Sequence, residues 1–316
     1  MRYQLATSTH WKYDTTEKIP FLKSVGDIID AGFTNLDFCF LDMRDENCKF
    51  RSDGYKDWIF ECKEFVERKG AKWVQAHAVA PETLGYTEMC KQHIKRSIEC
   101  CSYLGVEWIV MHHIFDPKSM WGSSLSGLEF NLRYFSEFLE VAEKYNVGIA
   151  IENQTCHPFY RESEYARSIE ELLQLVDKLG GDHVGVCWDV GHCNVSAAFE
   201  GAEHLSKQSE LIKLCGDRIK ATHIHDNNAK KYSKLYKINA NTSLKDPWCA
   251  LDEHIMPYQG DVDWDDVIKG LDSIHYNRYF TYETHTGVNP YPDNVSKEAM
   301  QFLYRLGLEM LSKSAL

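Results

Sequence analysis

The chain has 316 residues, 44% hydrophobic and 13% aromatic, and sets 35 Lys+Arg against 47 Asp+Glu for a formal charge of −12. That balance opposes non-specific binding to a polyanion, because nucleic-acid affinity depends on Lys and Arg neutralising phosphates, although a local basic cleft would override it. No run of about 18 apolar residues marks a membrane span, and the length suits one (β/α)₈ barrel, with residues 1–316 as a single domain.

The opening MRYQLATSTHW has no basic region followed by an apolar stretch, so no secretory signal is expected. Eleven cysteines, an odd number with no C-x-x-C pair, fit reduced thiols in a cytoplasmic protein better than a disulfide framework or a zinc knuckle. In chain order, Tyr3–Ser8 reads as a first strand and Ile19–Ala31 as a helix closed by Gly32. Asn35–Leu41 is the second strand, Lys56–Lys69 a helix ending at Gly70, and Lys72–Ala76 a third strand with His77 just past its end. Tyr86–Leu104 is helical, with Cys100 and Cys101 as core residues; Trp108–Met111 follows as strand four, with His112 and His113 at its exit. Gly127–Tyr145 is the next helix.

The second half repeats the alternation. Val147–Ile151 predicts strand five, delivering Glu152, and Ser168–Leu179 a helix. Val184–Cys187 predicts strand six, ending in the run Trp188–His192, which carries Asp189 and His192. A helical stretch around His204–Leu214 leads to strand seven, Ile219–Thr222, which delivers His223, Ile224, His225 and Asp226. A connection from Asn227 to Asp263 is long enough to be a lid or binding loop. Trp264–Ile274 is a short helix whose Trp264 reads as packing; Tyr279–Tyr282 is strand eight, delivering Glu283, and Lys297–Ser312 closes the chain. Strands alternating with helices about eight times, with no linker-like stretch, argue for a closed parallel barrel over an open doubly wound sheet.

In such a barrel the C-terminal strand ends meet at one mouth. Collected there are His77, His112, Glu152, Asp189, His192, His223 and Glu283, to which the long loop adds Asp252 and His254. Mixed carboxylates and imidazoles suit Mn²⁺, Zn²⁺, Fe²⁺ or Co²⁺. Each residue also has a plainer reading. A histidine after a strand is often just hydrogen-bonded, and only one of His112 and His113 should face inward, because adjacent strand residues point to opposite sides. His225 shares the facing of His223 if the strand persists and rivals it as a ligand. His192 reads as a supporting or substrate contact, Asp252 and His254 as residues that cap a lid, and Lys230–Lys231 as a solvated pair.

IENQ, CWDVGH, ATHIHDN, the H-x-x-P-x-x-G-x-V-D-W run and YETH resemble the motifs of the xylose-isomerase-like (AP endonuclease family 2) TIM-barrel superfamily. The match runs from about His77 to Glu283, and its strength lies in order and placement. That group holds sugar isomerases and epimerases, sugar phosphate isomerase/epimerase-like proteins, inosose dehydratase-like proteins and endonucleases of the endonuclease IV type. In the isomerase branch the resemblance implies one divalent ion on Glu152, Asp189, His223 and Glu283, with Glu152 and Glu283 also passing protons, and His77, His112, His192 and His254 near substrate. In the endonuclease branch it implies three zinc ions held by all nine residues, so His77, His112, His192, Asp252 and His254 are possible additional ligands. Two departures weigh against DNA binding: His77 is followed by Ala78-Val79-Ala80-Pro81 where those enzymes carry an aromatic and an apolar wedge, and the chain is acidic.

The expected activity is therefore a metal-dependent isomerase or epimerase acting on a small ketose or keto-polyol, with Mn²⁺ or Zn²⁺ as cofactor. The ion would stabilise the enediolate formed when a proton leaves the carbon next to a carbonyl. The alternatives are a trinuclear-zinc phosphodiesterase, an inosose dehydratase-like lyase, and a catalytically silent sugar-binding barrel. Phosphorylated substrates are disfavoured, because no glycine-rich loop or Arg/Lys cluster marks the ends of strands seven and eight. Barrels of this group are often dimers or tetramers, which leaves a homo-oligomer open.

Overall fold

Eight short runs rich in buried side chains form eight strands: β1 Gln4–Ser8, β2 Asn35–Cys39, β3 Lys72–His77, β4 Trp108–His112, β5 Gly148–Glu152, β6 Val184–Asp189, β7 Ile219–His223 and β8 Tyr279–Tyr282. The computed structural model describes residues 3–10, 20–41, 43, 48–81, 85–155, 165–166, 168–200, 207–229 and 252–315. The strands pair in the order β7-β6-β5-β4-β3-β2-β1-β8, and each of these pairs is parallel. Between β7 and β8 the ring is nearly closed: Ile224 N donates to Thr281 O at 2.8 Å and Glu283 N to Ile224 O at 3.1 Å. The Thr222 hydroxyl accepts from Thr281 N and donates to Tyr279 O, so a side chain supplies part of the ladder at that seam.

The outward strand faces pack under helices. Phe38 meets Phe40 at 4.4 Å and Trp73 at 4.8 Å between ring centroids, in the shell beneath α1 (Phe21–Asp30) and α2 (Tyr55–Arg68). Helix α3 (Glu88–Leu104) starts where the Thr87 side chain accepts from Cys90 N and ends at Gly105 in the left-handed region, and it buries Cys100 and Cys101 as expected. Among the described residues no helix is long and apolar enough to cross a membrane.

The inward faces follow from the two-residue strand period. Trp108, Val110, Ala150, Cys187 and Ala221 form a separate apolar cluster within the ring. Nearer the mouth is a polar layer, in which Gln75 Nε2 donates to Asp37 Oδ2 and Thr281 Oγ1 donates to Gln75 Oε1, both at 3.2 Å. Two positions beyond these inward residues come His77, His112, Glu152, Asp189, His223 and Glu283.

Several boundaries differ from expectation in one direction. Strands β3 to β7 each run on through the polar residue that the sequence pattern had left outside, because those residues still pair across the sheet: His77 with Val110, His112 with Glu152, and Asp189 with His223. Two helices were not anticipated, α4 (Pro117–Trp121) and α7 (Val190–Glu200). Residues 190–195 at the start of α7 are all buried, so the segment lacks the polar face by which a helix is recognised. The other helices are α5 Gly127–Tyr145, α6 Ile169–Leu179, α8 Gln208–Cys215, α9 Trp264–Ser273 and α10 Asp293–Ser312, each close to its expected range. Ile19, residues 204–206, and most of the long connection, with Lys230 and Lys231, lie outside the described residues.

Candidate metal centre

Strand period and barrel closure bring Glu152, Asp189, His223 and Glu283 together from four different strand ends. One ligand atom from each lies within 4.8 Å of the others. His223 Nδ1 is the hub, 2.7 Å from Glu152 Oε1, 3.5 Å from Glu283 Oε2 and 3.8 Å from Asp189 Oδ2. All four side chains are buried. Asp189 Oδ2 and His223 Nε2 have no hydrogen-bond partner among the described residues. An unpaired buried oxygen is costly, and a divalent cation on the three carboxylates and His223 Nδ1 would occupy Asp189 Oδ2, whereas His223 Nε2 lies on the far side of the ring, 3.8 Å from Asp37 Oδ2.

Glu152 links this group to a second one. Its Oε2 lies 3.0 Å from His112 Nε2 and 3.6 Å from His77 Nε2, and the two imidazole nitrogens are 3.1 Å apart. His113, in the opposite phase, turns away from the mouth and places Nδ1 3.2 Å from the Glu152 carbonyl.

A third group unites His192, His225, Asp252 and His254. Asp252 Oδ2 is 3.2 Å from His192 Nε2 and 3.1 Å from His254 Nε2, while His225 Nε2 stands 3.1 Å from Asp189 Oδ1 and 3.7 Å from Asp252 Oδ1. The loop residues arrive there because their backbone is pinned. Asp226 and Ile255 exchange both amide hydrogen bonds, and His254 adopts φ 47°, an uncommon conformation for a residue with a side chain. Asp226 also accepts from Trp264 Nε1 at 3.1 Å and Val262 N at 3.2 Å. A Cβ at Gly260 would collide with Asp226 Oδ1 and the Asn227 carbonyl, so the glycine permits the loop to pass. Trp264 is thus a packed anchor, as its sequence position suggested.

Three of the histidines share one device. Nδ1 of His77, His192 and His254 lies 2.8, 3.0 and 2.7 Å from the carbonyls of Ala78, Asn153 and Glu283. A carbonyl only accepts, so the proton sits on Nδ1 and the Nε2 atoms face the carboxylates, as metal-ligating histidines do. As the side chains stand, imidazole protons balance the acids. Burial opposes charge on Glu152, but His223 together with hydrogen bonds from His112, His223 and His77 holds its carboxyl well below the usual range. Glu283, buried but beside His223 and His254, is lowered to about 2. Burial likewise opposes charge on His254, yet Asp252 and Glu283 push it up to about 9. A bound cation would displace such protons.

All nine expected residues therefore meet at the barrel mouth. His225, weighed as a rival to His223, falls in a different group, and Asp189 lies between the two, its Oδ2 3.8 Å from His223 Nδ1 and its Oδ1 3.1 Å from His225 Nε2. A cavity of about 550 Å³ opens onto His77, His112, Glu152, His192, Asp252, His254 and Glu283, and is walled also by His10, Leu41, Phe115, Gln154 and His285. His10 and His285, whose ring centroids are 4.1 Å apart, were not anticipated. Each stands two residues beyond an inward-facing position, Ser8, which pairs with Asp37, and Glu283, so the strand period carried forward would have found them.

A curated relative, an uncharacterised protein of Methanocaldococcus jannaschii, is 27% identical over 191 residues, which is 60% of this chain and 55% of that protein. The chain spans about half the length of the curated relatives it matches. Among solved structures, a D-tagatose 3-epimerase-like protein aligns with TM-score 0.67 at 20% identity, over 99% of this chain and 100% of that one. A Methylomonas D-allulose 3-epimerase in complex with D-allulose aligns with TM-score 0.65 at 13% identity, over 99% and 97%. These structures share the barrel. The model of one family, described as xylose isomerase-like TIM barrel, matches residues 25–306, and the chain belongs to that family.

Proposed function

We propose that this protein is a divalent-metal-dependent isomerase or epimerase of a small ketose or keto-polyol. The observation that carries the reading is the pair Glu152 and Glu283, two buried carboxylates flanking His223 and both lining the same cavity at the strand ends. The sugar epimerases that share the fold support the substrate class.

Glu152, Asp189, His223 and Glu283 would hold the ion, which when bound supplies Lewis-acid polarisation of the substrate carbonyl. Glu152 and Glu283 are both held ionised, so either can accept the proton of the carbon next to that carbonyl, and the other can return one. Return to the far face of the same carbon is epimerisation; return at the neighbouring carbon, with the hydroxyl proton moving too, is isomerisation. His77 and His112, on the Oε2 side of Glu152, would hydrogen-bond substrate hydroxyls.

Incubation of the Mn²⁺- or Zn²⁺-loaded protein with keto-sugars in D₂O should place deuterium next to the carbonyl. Loss of a hydroxyl in the same experiment would indicate the lyase variant of this chemistry. A second reading is favoured by the two flanking histidine groups: a trinuclear phosphodiesterase, in which further ions would clamp a phosphate. No exchange with any keto-sugar, together with nicking of abasic-site DNA by the metal-loaded protein, would replace the first reading by the second.

A further inference from the structure

Strand β2 carries one charged side chain, Asp37, between Leu36 and Phe38 of the shell under the helices. It faces the barrel interior in register with Gln75 and is fully buried. Its Oδ2 accepts from Gln75 Nε2 at 3.2 Å, and its Oδ1 has no hydrogen-bond partner among the described residues. The Gln75 amide is itself fixed, because its oxygen accepts from Thr281 Oγ1 and its nitrogen also donates to the Thr222 carbonyl at 3.5 Å. An asparagine would satisfy that amide, so packing does not explain an acid here; a carboxylate so deep needs a second donor to offset its burial. The donor in reach is His223 Nε2, 3.8 Å from Asp37 Oδ2 and likewise without a hydrogen-bond partner among the described residues. Cys187 Sγ also comes within 4.8 Å of a His223 ring nitrogen, but a thiol is the weaker acceptor.

On the reading that Glu152, Asp189, His223 and Glu283 hold a divalent ion, we infer that Asp37 is the residue that positions His223 in that group: it accepts the Nε2–H of the ring, which leaves Nδ1 to face the ion as a lone pair. An imidazole with one proton offers a ligand atom on one nitrogen only while the other keeps that proton. A carboxylate behind the ring fixes this tautomer and makes the ligand nitrogen more basic. His77, His192 and His254 use backbone carbonyls for the same end, each with its proton on Nδ1. His223 is turned the other way, with Nδ1 toward the carboxylates and 2.7 Å from Glu152 Oε1, so its retained proton points down into the barrel, where the acceptor is Asp37. Two atoms that share an ion through bonds of about 2.1 Å stand about 3 Å apart or more. Entry of an ion between Glu152 Oε1 and Nδ1 therefore moves the ring back, and Nε2 moves toward Asp37.

The test uses the full chain, ¹⁵N-labelled in its histidines, stripped of metal and titrated with Zn²⁺ alone. The metal equivalent lost in His223→Ala marks the Glu152 group, and the same variant identifies the ring signals of His223. In Zn²⁺-loaded wild type the nitrogen spectrum should show His223 with its proton on Nε2, exchanging slowly with water. Asp37→Leu, which removes both carboxylate oxygens, should bind that equivalent about 100-fold more weakly and lose the slow exchange, while Asp37→Asn, which keeps one acceptor oxygen, should restore the tautomer and all but about tenfold of the affinity. Gln75→Met disturbs the same polar layer but keeps the carboxylate, and should leave both readouts as in wild type. Wild-type affinity in Asp37→Leu, a His223 proton on Nδ1, or equal losses in Gln75→Met and Asp37→Leu would overturn the role of Asp37. Should Asp37→Leu fold poorly, Asp37→Asn and the wild-type spectrum decide. Absence of any metal equivalent that depends on His223 would sink this role together with the metal reading of the site. An equivalent that depends on Asp37, in a protein that exchanges no deuterium with keto-sugars, would overturn the proposed reaction alone and leave the role of Asp37 standing.

Discussion

Glu152 Oε1 and His223 Nδ1 lie 2.7 Å apart with both side chains buried, at the point where four strand ends converge. The proton of His223 balances the carboxylates that a cation would otherwise neutralise. Burial disfavours that proton, yet the surrounding charges, Glu283 and Glu152 among them, raise the imidazole well above its ordinary value, and His254 is raised to about 9. A bound cation and these protons would therefore compete. Apparent metal affinity should rise with pH up to about 9, roughly tenfold per pH unit for each proton released. Calorimetry of Zn²⁺ binding in buffers of different ionisation enthalpy measures the released protons directly; an affinity constant between about pH 6 and 8 would contradict the geometry.

If Glu152 and Glu283 serve opposite faces of the substrate, their glutamine variants should fail differently. Each should reduce turnover by about 10²–10⁴-fold, the usual contribution of a positioned acid or base. Starting from one epimer, the variant that keeps the abstracting carboxylate should still exchange deuterium without net conversion, and from the other epimer the pattern should reverse. Nuclear magnetic resonance of both epimers in D₂O distinguishes this from a scheme with a single base, in which one variant would lose exchange from both.

The rim residues were legible because a strand's facing repeats every two residues. Gln75 and His77, Val110 and His112, Ala150 and Glu152, Cys187 and Asp189, Ala221 and His223, and Thr281 and Glu283 each share a face, so an apolar run ending in an acid or imidazole places that group at the mouth. The same rule extends to His10 and His285, but a polar residue beyond a strand reads as loop, and both were passed over. Asp252 and His254 obey no period. Their placement depends on the Asp226–Ile255 pairing and on Gly260, contacts between residues far apart in sequence that no local pattern encodes. The helix Val190–Glu200 was hidden for a related reason, since burial removes the amphipathic signal.

That dependence makes the Asp226 anchor testable. Gly260→Ala places a methyl group against Asp226 Oδ1 and the Asn227 carbonyl, and should destabilise the fold by ~1–3 kcal/mol through forced repacking. Asp226→Asn replaces an acceptor that serves Trp264 Nε1, Val262 N and Asn227 N by a group with only one acceptor atom. The loss should be ~1–3 kcal/mol, the cost of a buried donor left unpaired. Urea unfolding of the metal-free protein checks both, and values within error of wild type would show that the loop is held elsewhere.

Away from the mouth, His93 on α3 sets a pH dependence of its own. Its side chain is 7% exposed, Nδ1 has no hydrogen-bond partner among the described residues, and the ring lies 6.0 Å from that of Phe50. Burial first, then the charges of Arg51 and Arg96, lower its pKa to about 4, against about 6.5 in the unfolded chain. Between these values the unfolded chain binds more protons, so the contribution of His93 is complete above about pH 6.5 and is lost as pH falls toward 4. The loss from pH 7 to pH 5 should be about 2 kcal/mol. Substituting His93→Leu removes the titrating group and keeps an apolar side chain in the site. The fall in unfolding free energy from pH 7 to pH 5 should shrink in the variant by about that amount, whatever the histidines at the mouth contribute in both proteins. An identical pH dependence for wild type and variant would mean that His93 is charged in the fold, with a partner for its proton.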